Sequence, residues 1–347
     1  MEGGLGPLTG NKLAMRLSAL IFGGGCIFAL AAASSSSTIK AFPVKASHPH
    51  GIVYNPAGPL QGLWFDNRTT DDTSSVVEFD TSNGSQKTYL TPTRGSQPGS
   101  INIASDHSIW FTESAANKVA TVTLAREIKE YSVPTQHAFP LDITRGPDGA
   151  MWFVEEAVGK IGRIAPNGAV KEFVVGDRKS HPTALITGPD KAIWFTEVGT
   201  KKIGRLTTAG RVSHFSAGAG TMTGDITTAI DNSFWFGKDN TVTRMTTGGA
   251  LTEYKLPNAI STGSIFGSRN GGVFIGVMQK DGTGSVTTVS ANGNLRQFDL
   301  PQKNLMPAEF AQTADGAFWM ATDSFSPTAS TAQLFNLPLP AVKADQP

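Results

Sequence analysis

Between residues 38 and 337 the chain reads as short runs in which apolar and polar residues alternate, broken by Gly-Pro-Asp-Gly, Asn-Gly and similar pairs. Alternation with turn punctuation means strands joined by hairpins. A helical period of 3.6 is sustained nowhere in this stretch. The runs come in units. The six tryptophans, at 64, 110, 152, 194, 235 and 319, lie 46, 42, 42, 41 and 84 residues apart, and Phe274 stands inside the last, double gap. A period near 42 means one supersecondary unit copied along the chain. Four antiparallel strands per copy make a propeller blade. The pattern therefore predicts an all-β fold, a seven-bladed β-propeller with the large aromatics as blade core.

A second aromatic checks the count. Tyr89, Tyr131, Phe173, Phe215, Tyr254 and Phe298 mark the fourth run of six units. The seventh unit, after Trp319, has room for a third run near Leu334 and Phe335 but not for a fourth. The missing run stands at the other end of the chain, from Thr38 to Val44, with Phe42 in step 47 residues before Tyr89. The N-terminal strand, about 38–44, is thus expected to complete the last blade and close the ring, which removes free sheet edges. The domain reading is a single propeller over 38–340 and a disordered tail over 341–347.

Residues 1–33 differ from the rest. Lys12 and Arg16 precede an apolar run from Leu17 to Ala33, and Ala31-Ala32-Ala33 offers a cleavage site before four serines. This reads as a secretory signal peptide, so a secreted or periplasmic protein is expected. An uncleaved anchor and lipidation at Cys26 stay open. Cys26 is the only cysteine, which excludes an intrachain disulfide. Net charge is +1, from 29 basic and 28 acidic residues, so no nucleic-acid partner is implied. No membrane contact beyond the leader is expected, and no signal for a homo-oligomer is present.

Trp110-Phe-Thr-Glu113 with Asn117-Lys-Val119, Trp152-Phe-Val-Glu155 with Lys160-Ile-Gly-Arg-Ile164, and Trp194-Phe-Thr-Glu197 with Lys202-Ile-Gly-Arg-Leu206 share one string. That string resembles the repeat of the streptogramin B lyases, also called virginiamycin B lyases, and the likeness runs over essentially all of 38–337. The resemblance implies a seven-bladed propeller. It also implies a magnesium ion and a histidine base that open a cyclic depsipeptide by elimination. Such a base removes a proton beside a carbonyl while the metal stabilises the developing charge. The family places a His after Pro at the start of one first strand, Glu-Pro-His at the start of the next, and a Glu after that blade's tryptophan. Here the corresponding stretches are Thr262-Gly-Ser264, Met306-Pro307-Ala308 and Asp323. Only His48-Pro49-His50 in the first blade looks like the motif, with Arg68 where a metal-binding acid belongs.

Functional residues favour loops on rigid scaffolds, and the start of each first strand shares a face with the end of the second. The ligand-binding candidates on that face are His48, His50, Arg68, Glu113, Glu155, His181, Glu197, Lys238 and Asp323. His137, Asp66, Glu156 and Lys280 stand near them. Glu113, Glu155 and Glu197 recur with the repeat, which favours a structural role in inter-blade hydrogen bonding. The leading reading is an exported propeller that binds a small molecule, peptide or glycan at the channel mouth, with no cofactor. The alternative is a lyase, or a lactone-type hydrolase, with a relocated site around His50 as catalytic residue. Only that alternative requires Mg2+.

Overall fold

The computed structural model describes residues 40–44, 49, 51–69, 72–268, 272–303, 305–324 and 333–337. The expected signal peptide and tail lie outside these residues, as do His48 and His50. Seven sheets of four antiparallel strands are present, and the only helical element described is a single 3-10 turn, Glu156–Val158. Among the described residues no helix is long and apolar enough to cross a membrane. The blades span 52–90, 98–132, 140–174, 182–216, 222–255, 259–303 and 305–337, and each runs outward through strands a to d. The a strand of every blade touches that of the next, and the a strand of the seventh, Leu305–Gln312, touches that of the first, Ile52–Asn55. The ring is closed around a central channel.

Closure uses the N-terminal strand. Lys40–Pro43 pairs antiparallel with Gln333–Leu337 and becomes strand d of blade 7, with Phe42 opposite Leu334. Phe42 then does what the fourth-run aromatics do elsewhere. Trp64, Trp110, Trp152, Trp194 and Trp235 stack on Tyr89, Tyr131, Phe173, Phe215 and Tyr254 at 5.1–5.6 Å. Trp319 meets Phe42 at 5.3 Å.

Each tryptophan also packs on the blade that follows it. Trp152 shares a core with Leu185, Ile193 and Phe195 of blade 4, and Trp319 shares one with Ile52 and Phe65 of blade 1. Phe274 fills the same place between blades 6 and 7. An aromatic at one position of every copy therefore seals each gap between blades.

The shared string has a physical cause. Asp148 accepts from Trp152 Nε1 at 3.0 Å and from Arg163 Nε at 2.6 Å. Asp190 repeats this with Trp194 at 2.9 Å and Arg205 at 2.6 Å. Gly162 lies opposite Phe153, and Gly204 opposite Phe195, with the ring laid on the glycine where a Cβ would collide.

Candidate functional site

The face on which a strands begin and b strands end is the mouth face. Strand a lines the channel, and in six blades its pairing to strand b shifts register near its start. Such a bulge re-aims the residue beside it. Counted from the pairing with strand b, the residues at this position are Gly51, Ser100, Asp142, Ala184, Asp225, Ser264 and Glu309. Three carboxyls, in blades 3, 5 and 7, thus share one layer of the channel. A hollow of about 170 Å³ lies toward the mouth, between this layer and Leu141, Thr183, Thr223 and Gly224. A second, of about 330 Å³, runs along the a strands from the same layer.

The three carboxyls stitch blades together. Asp142 accepts from the Leu185 amide of blade 4 at 2.8 Å, and Asp225 from the Ile265 amide of blade 6 at 2.7 Å. Glu309 accepts from the Ser264 hydroxyl of blade 6 at 3.1 Å. Each keeps some surface open to the channel while protein surrounds it. That enclosure disfavours charge. Burial pushes Asp142 up, with hydrogen bonds from Ser100, Leu185 and Ile143 opposing it. Burial, aided by the charge of Asp142, raises Asp225 to about 7. Burial followed by the charges of Asp225 and Asp142 lifts Glu309 well above the carboxylate range. The layer therefore offers carboxylic acid O–H donors near neutral pH as well as acceptors.

Between blades the glutamates of the repeat are out of a ligand's reach. Glu113, Glu155 and Glu197 are at most 1% exposed. The expected inter-blade hydrogen bonds are largely missing, because neither oxygen of Glu113 or Glu155 accepts one of normal geometry. Burial, then repulsion from Glu130, raises Glu113 to about 7, with Ser96 and Lys118 opposing. Burial, then Glu172, raises Glu155 to about 8. Glu197 is raised by burial, against His214, Thr200 and Lys202. Lys238, also 1% exposed, donates to the Ala217 and Ala219 carbonyls at 3.0 and 2.9 Å and pairs with Glu253. The structure therefore withdraws these four candidates from the surface.

The other candidates stand apart from one another. Arg68 is half-buried at the end of strand b of blade 1. Asp323 lies in strand b of blade 7, opposite Met306, and its side chain is outside the description. His181 is exposed at the mouth, with Nδ1 2.8 Å from Glu156 Oε1. Next to that pair a hollow of about 320 Å³ is lined by Asn117, His137, Phe139 and Glu156. Asn117, His137, Phe139 and His181 all hold positive φ, from 43° to 57°. The matching turn positions of neighbouring blades, Gln97, Gly159 and Lys201, are left-handed too, so this conformation belongs to the repeat. A hollow of about 530 Å³ lies on the opposite face, where Glu78 and Arg126 pair with each other.

Of the residues matching the lyase machinery, only Asp323 is an acid. Thr262 bonds to Thr223, Ser264 bonds to Ala308 and Glu309, and Met306 and Ala308 offer no anionic oxygen. Among the described residues no group of three His, Cys, Asp or Glu side chains could hold a metal ion.

The family model described as "Virginiamycin B lyase family" matches residues 30–221. A solved streptogramin B lyase is 25% identical with a TM-score of 0.76, over 86% of this chain and 97% of that one. Virginiamycin B lyase from Staphylococcus aureus is 26% identical with a TM-score of 0.74, over 86% and 99%. A catalytically inactive His-to-Ala form of the Staphylococcus aureus enzyme, solved with quinupristin, is 26% identical with a TM-score of 0.75 over the same shares. No curated protein matches the sequence.

Proposed function

The chain belongs to the virginiamycin B lyase family, and from that premise we propose that it is an exported member that binds a small molecule, peptide or glycan at the channel mouth without opening a depsipeptide ring. The mouth-side hollow carries this reading. Asp142, Asp225, Glu309 and Ser100 converge at its floor, and Thr183 and Thr223 stand on its wall. A concave site with a few convergent polar groups and perturbed carboxyls is the default ligand site of a scaffold. Its floor suits a ligand rich in hydroxyl groups, since protonated carboxyls donate and ionised ones accept. At the positions that match the family's base the chain carries Thr262, Ser264 and Ala308, which cannot abstract a proton beside a carbonyl.

Two measurements test the reading. A streptogramin B depsipeptide incubated with the protein, with and without EDTA, is expected to be recovered intact by mass analysis, and magnesium alone is expected to leave the melting temperature unchanged. Ring opening that EDTA abolishes would overturn it. In a thermal-shift panel of oligosaccharides, peptides and small polar compounds, at least one class should raise the melting temperature saturably. The rise should vanish in Thr183→Tyr, which fills the hollow from its wall. A panel without such a hit counts against the reading.

A further inference from the structure

The repeat clamps a lysine at the mouth edge of blades 2 and 3. In blade 2, Lys118 Nζ reaches Glu130 Oε2 at 2.5 Å and Thr93 Oγ1 at 2.7 Å. In blade 3, Lys160 Nζ reaches Glu172 Oε2 at 3.0 Å and Thr135 Oγ1 at 2.7 Å. The clamped side chains are only 27% and 23% exposed. Blade 4 has the lysine, Lys202, but neither partner. Strand pairing sets His214 opposite Gly204, as Glu172 is set opposite Gly162. Asp177 takes the threonine's place, and its Oδ1 is occupied by the Lys179 amide at 2.8 Å. His214 turns instead to the Val175 carbonyl at 3.1 Å and to Glu197 at 3.4 Å. Lys202 is therefore left exposed.

Its release falls among other free cations. The loop over 176–181 carries Arg178 and Lys179, and the loop over 198–201 carries Lys201. The loops touch, since the Gly199 amide donates to the Ser180 carbonyl at 3.1 Å. Arg178, Lys179, Lys201 and Lys202 are exposed, and among the described residues none has a side-chain hydrogen bond or ion pair. Four full positive charges thus face Asp177 as the one exposed acid of these two loops, with half-buried Glu156 bonded to His181 and buried Glu197 felt by Lys202. The whole chain carries only +1, so bulk charge hides this patch.

We propose that this crescent at the blade 4 edge of the mouth is an anion-binding surface that recognises a ligand bearing two or more closely spaced phosphate or carboxylate groups. The proposal rests on the mouth-ligand reading above and names the ligand's charge. Flexible, strongly hydrated lysines act as point charges, so attraction should fall with salt.

Titration calorimetry at low salt tests this with tripolyphosphate, tetragalacturonate and uncharged maltotetraose as probes. At least one anion should bind saturably and lose tenfold or more in affinity between about 50 and 300 mM NaCl, an expectation from screening. The two anions distinguish a phosphate source from a uronate source. Lys201→Glu with Lys202→Glu should weaken binding at least tenfold, whereas Lys87→Glu, on the opposite face, should leave it unchanged. The decisive variant combines His214→Glu with Asp177→Thr. It rebuilds the clamp of blades 2 and 3 around Lys202 while leaving net charge unaltered, and it should weaken binding about threefold or more. Absence of anion binding, or equal loss in the Lys87 control, overturns the proposal. Full affinity in the rebuilt-clamp variant, with its melting temperature intact, removes Lys202 from the site. Either failure leaves the mouth-ligand reading to its own test, because maltotetraose or another uncharged compound can still bind there.

Discussion

At the scale of the residue, Asp148 joins three parts of the repeat. It sits in the turn before strand b, holds the Trp152 indole N–H, and pairs with Arg163 of strand c. Burial alone would raise its pKa, but the Trp152 and Arg163 contacts outweigh burial and hold it below the ordinary value. The Gly-Pro-Asp, Trp and Ile-Gly-Arg of the repeat are thus one network, and Gly162 is there because the Phe153 ring needs its face. Asp148→Ala should leave the buried indole N–H without an acceptor and Arg163 without its partner. A loss of about 1–3 kcal/mol is expected for such an orphaned group, measured as a lower denaturant midpoint. A change under about 0.5 kcal/mol, the range of an ordinary surface substitution, would show that the network is not the reason for the motif.

At the scale of the element, strand Lys40–Pro43 decides whether the ring closes. Its Phe42 contacts Phe79 of blade 1 at 5.7 Å and Trp319 of blade 7 at 5.3 Å, so it seals the gap between first and last blades. Deleting residues 38–44 removes that aromatic and bares the edge of Gln333–Leu337. Stability should fall by several kcal/mol, about 3 of them for the aromatic alone, and the bared edge should favour self-association. Calorimetry with light scattering checks both, and an unchanged melting temperature would contradict closure by this strand. This closure was legible in the sequence because Phe42 keeps the period of the other aromatics. The acids of the channel were not. Asp142, Asp225 and Glu309 occupy a position where other blades carry Gly, Ser or Ala, so periodicity passes over them. The bulge also breaks the two-residue alternation that would show which side chain turns inward. The freed Lys202 depends on His214 of the neighbouring strand, a relation visible only once the register Gly204 to His214 is known.

At the scale of the whole molecule, two sets of carboxyls pull stability in opposite directions with pH. Glu113, Glu155 and Asp225 are raised by their surroundings to about 7, about 8 and about 7, and Glu309 is lifted well above the value of an unfolded chain. The folded protein therefore holds protons that the unfolded chain has released. Their contribution is full below about pH 4, near the unfolded values, and is lost as pH rises through 7 to 8. Asp148, Asp190, Asp231, Glu130 and Glu172 are held below their ordinary values. Their contribution is full above about pH 4 and is lost as pH falls through their folded values. The two slopes cross on the acid side of neutrality, so the melting temperature should peak near pH 5 and decline steadily to pH 9, by the same linkage. Glu155→Gln isolates one component. Glu155 faces Glu172 and Lys160 from within its own blade, and the variant keeps its shape while removing the charge. It should match the parent near pH 4 and exceed it at pH 9 by several kcal/mol, since about 1.4 kcal/mol accrues for each pH unit between the unfolded value near 4 and the folded value of about 8. A parent protein whose stability rises between pH 5 and 8, or a variant with no gain at pH 9, would mean that these buried acids find partners and carry their charge in the folded state.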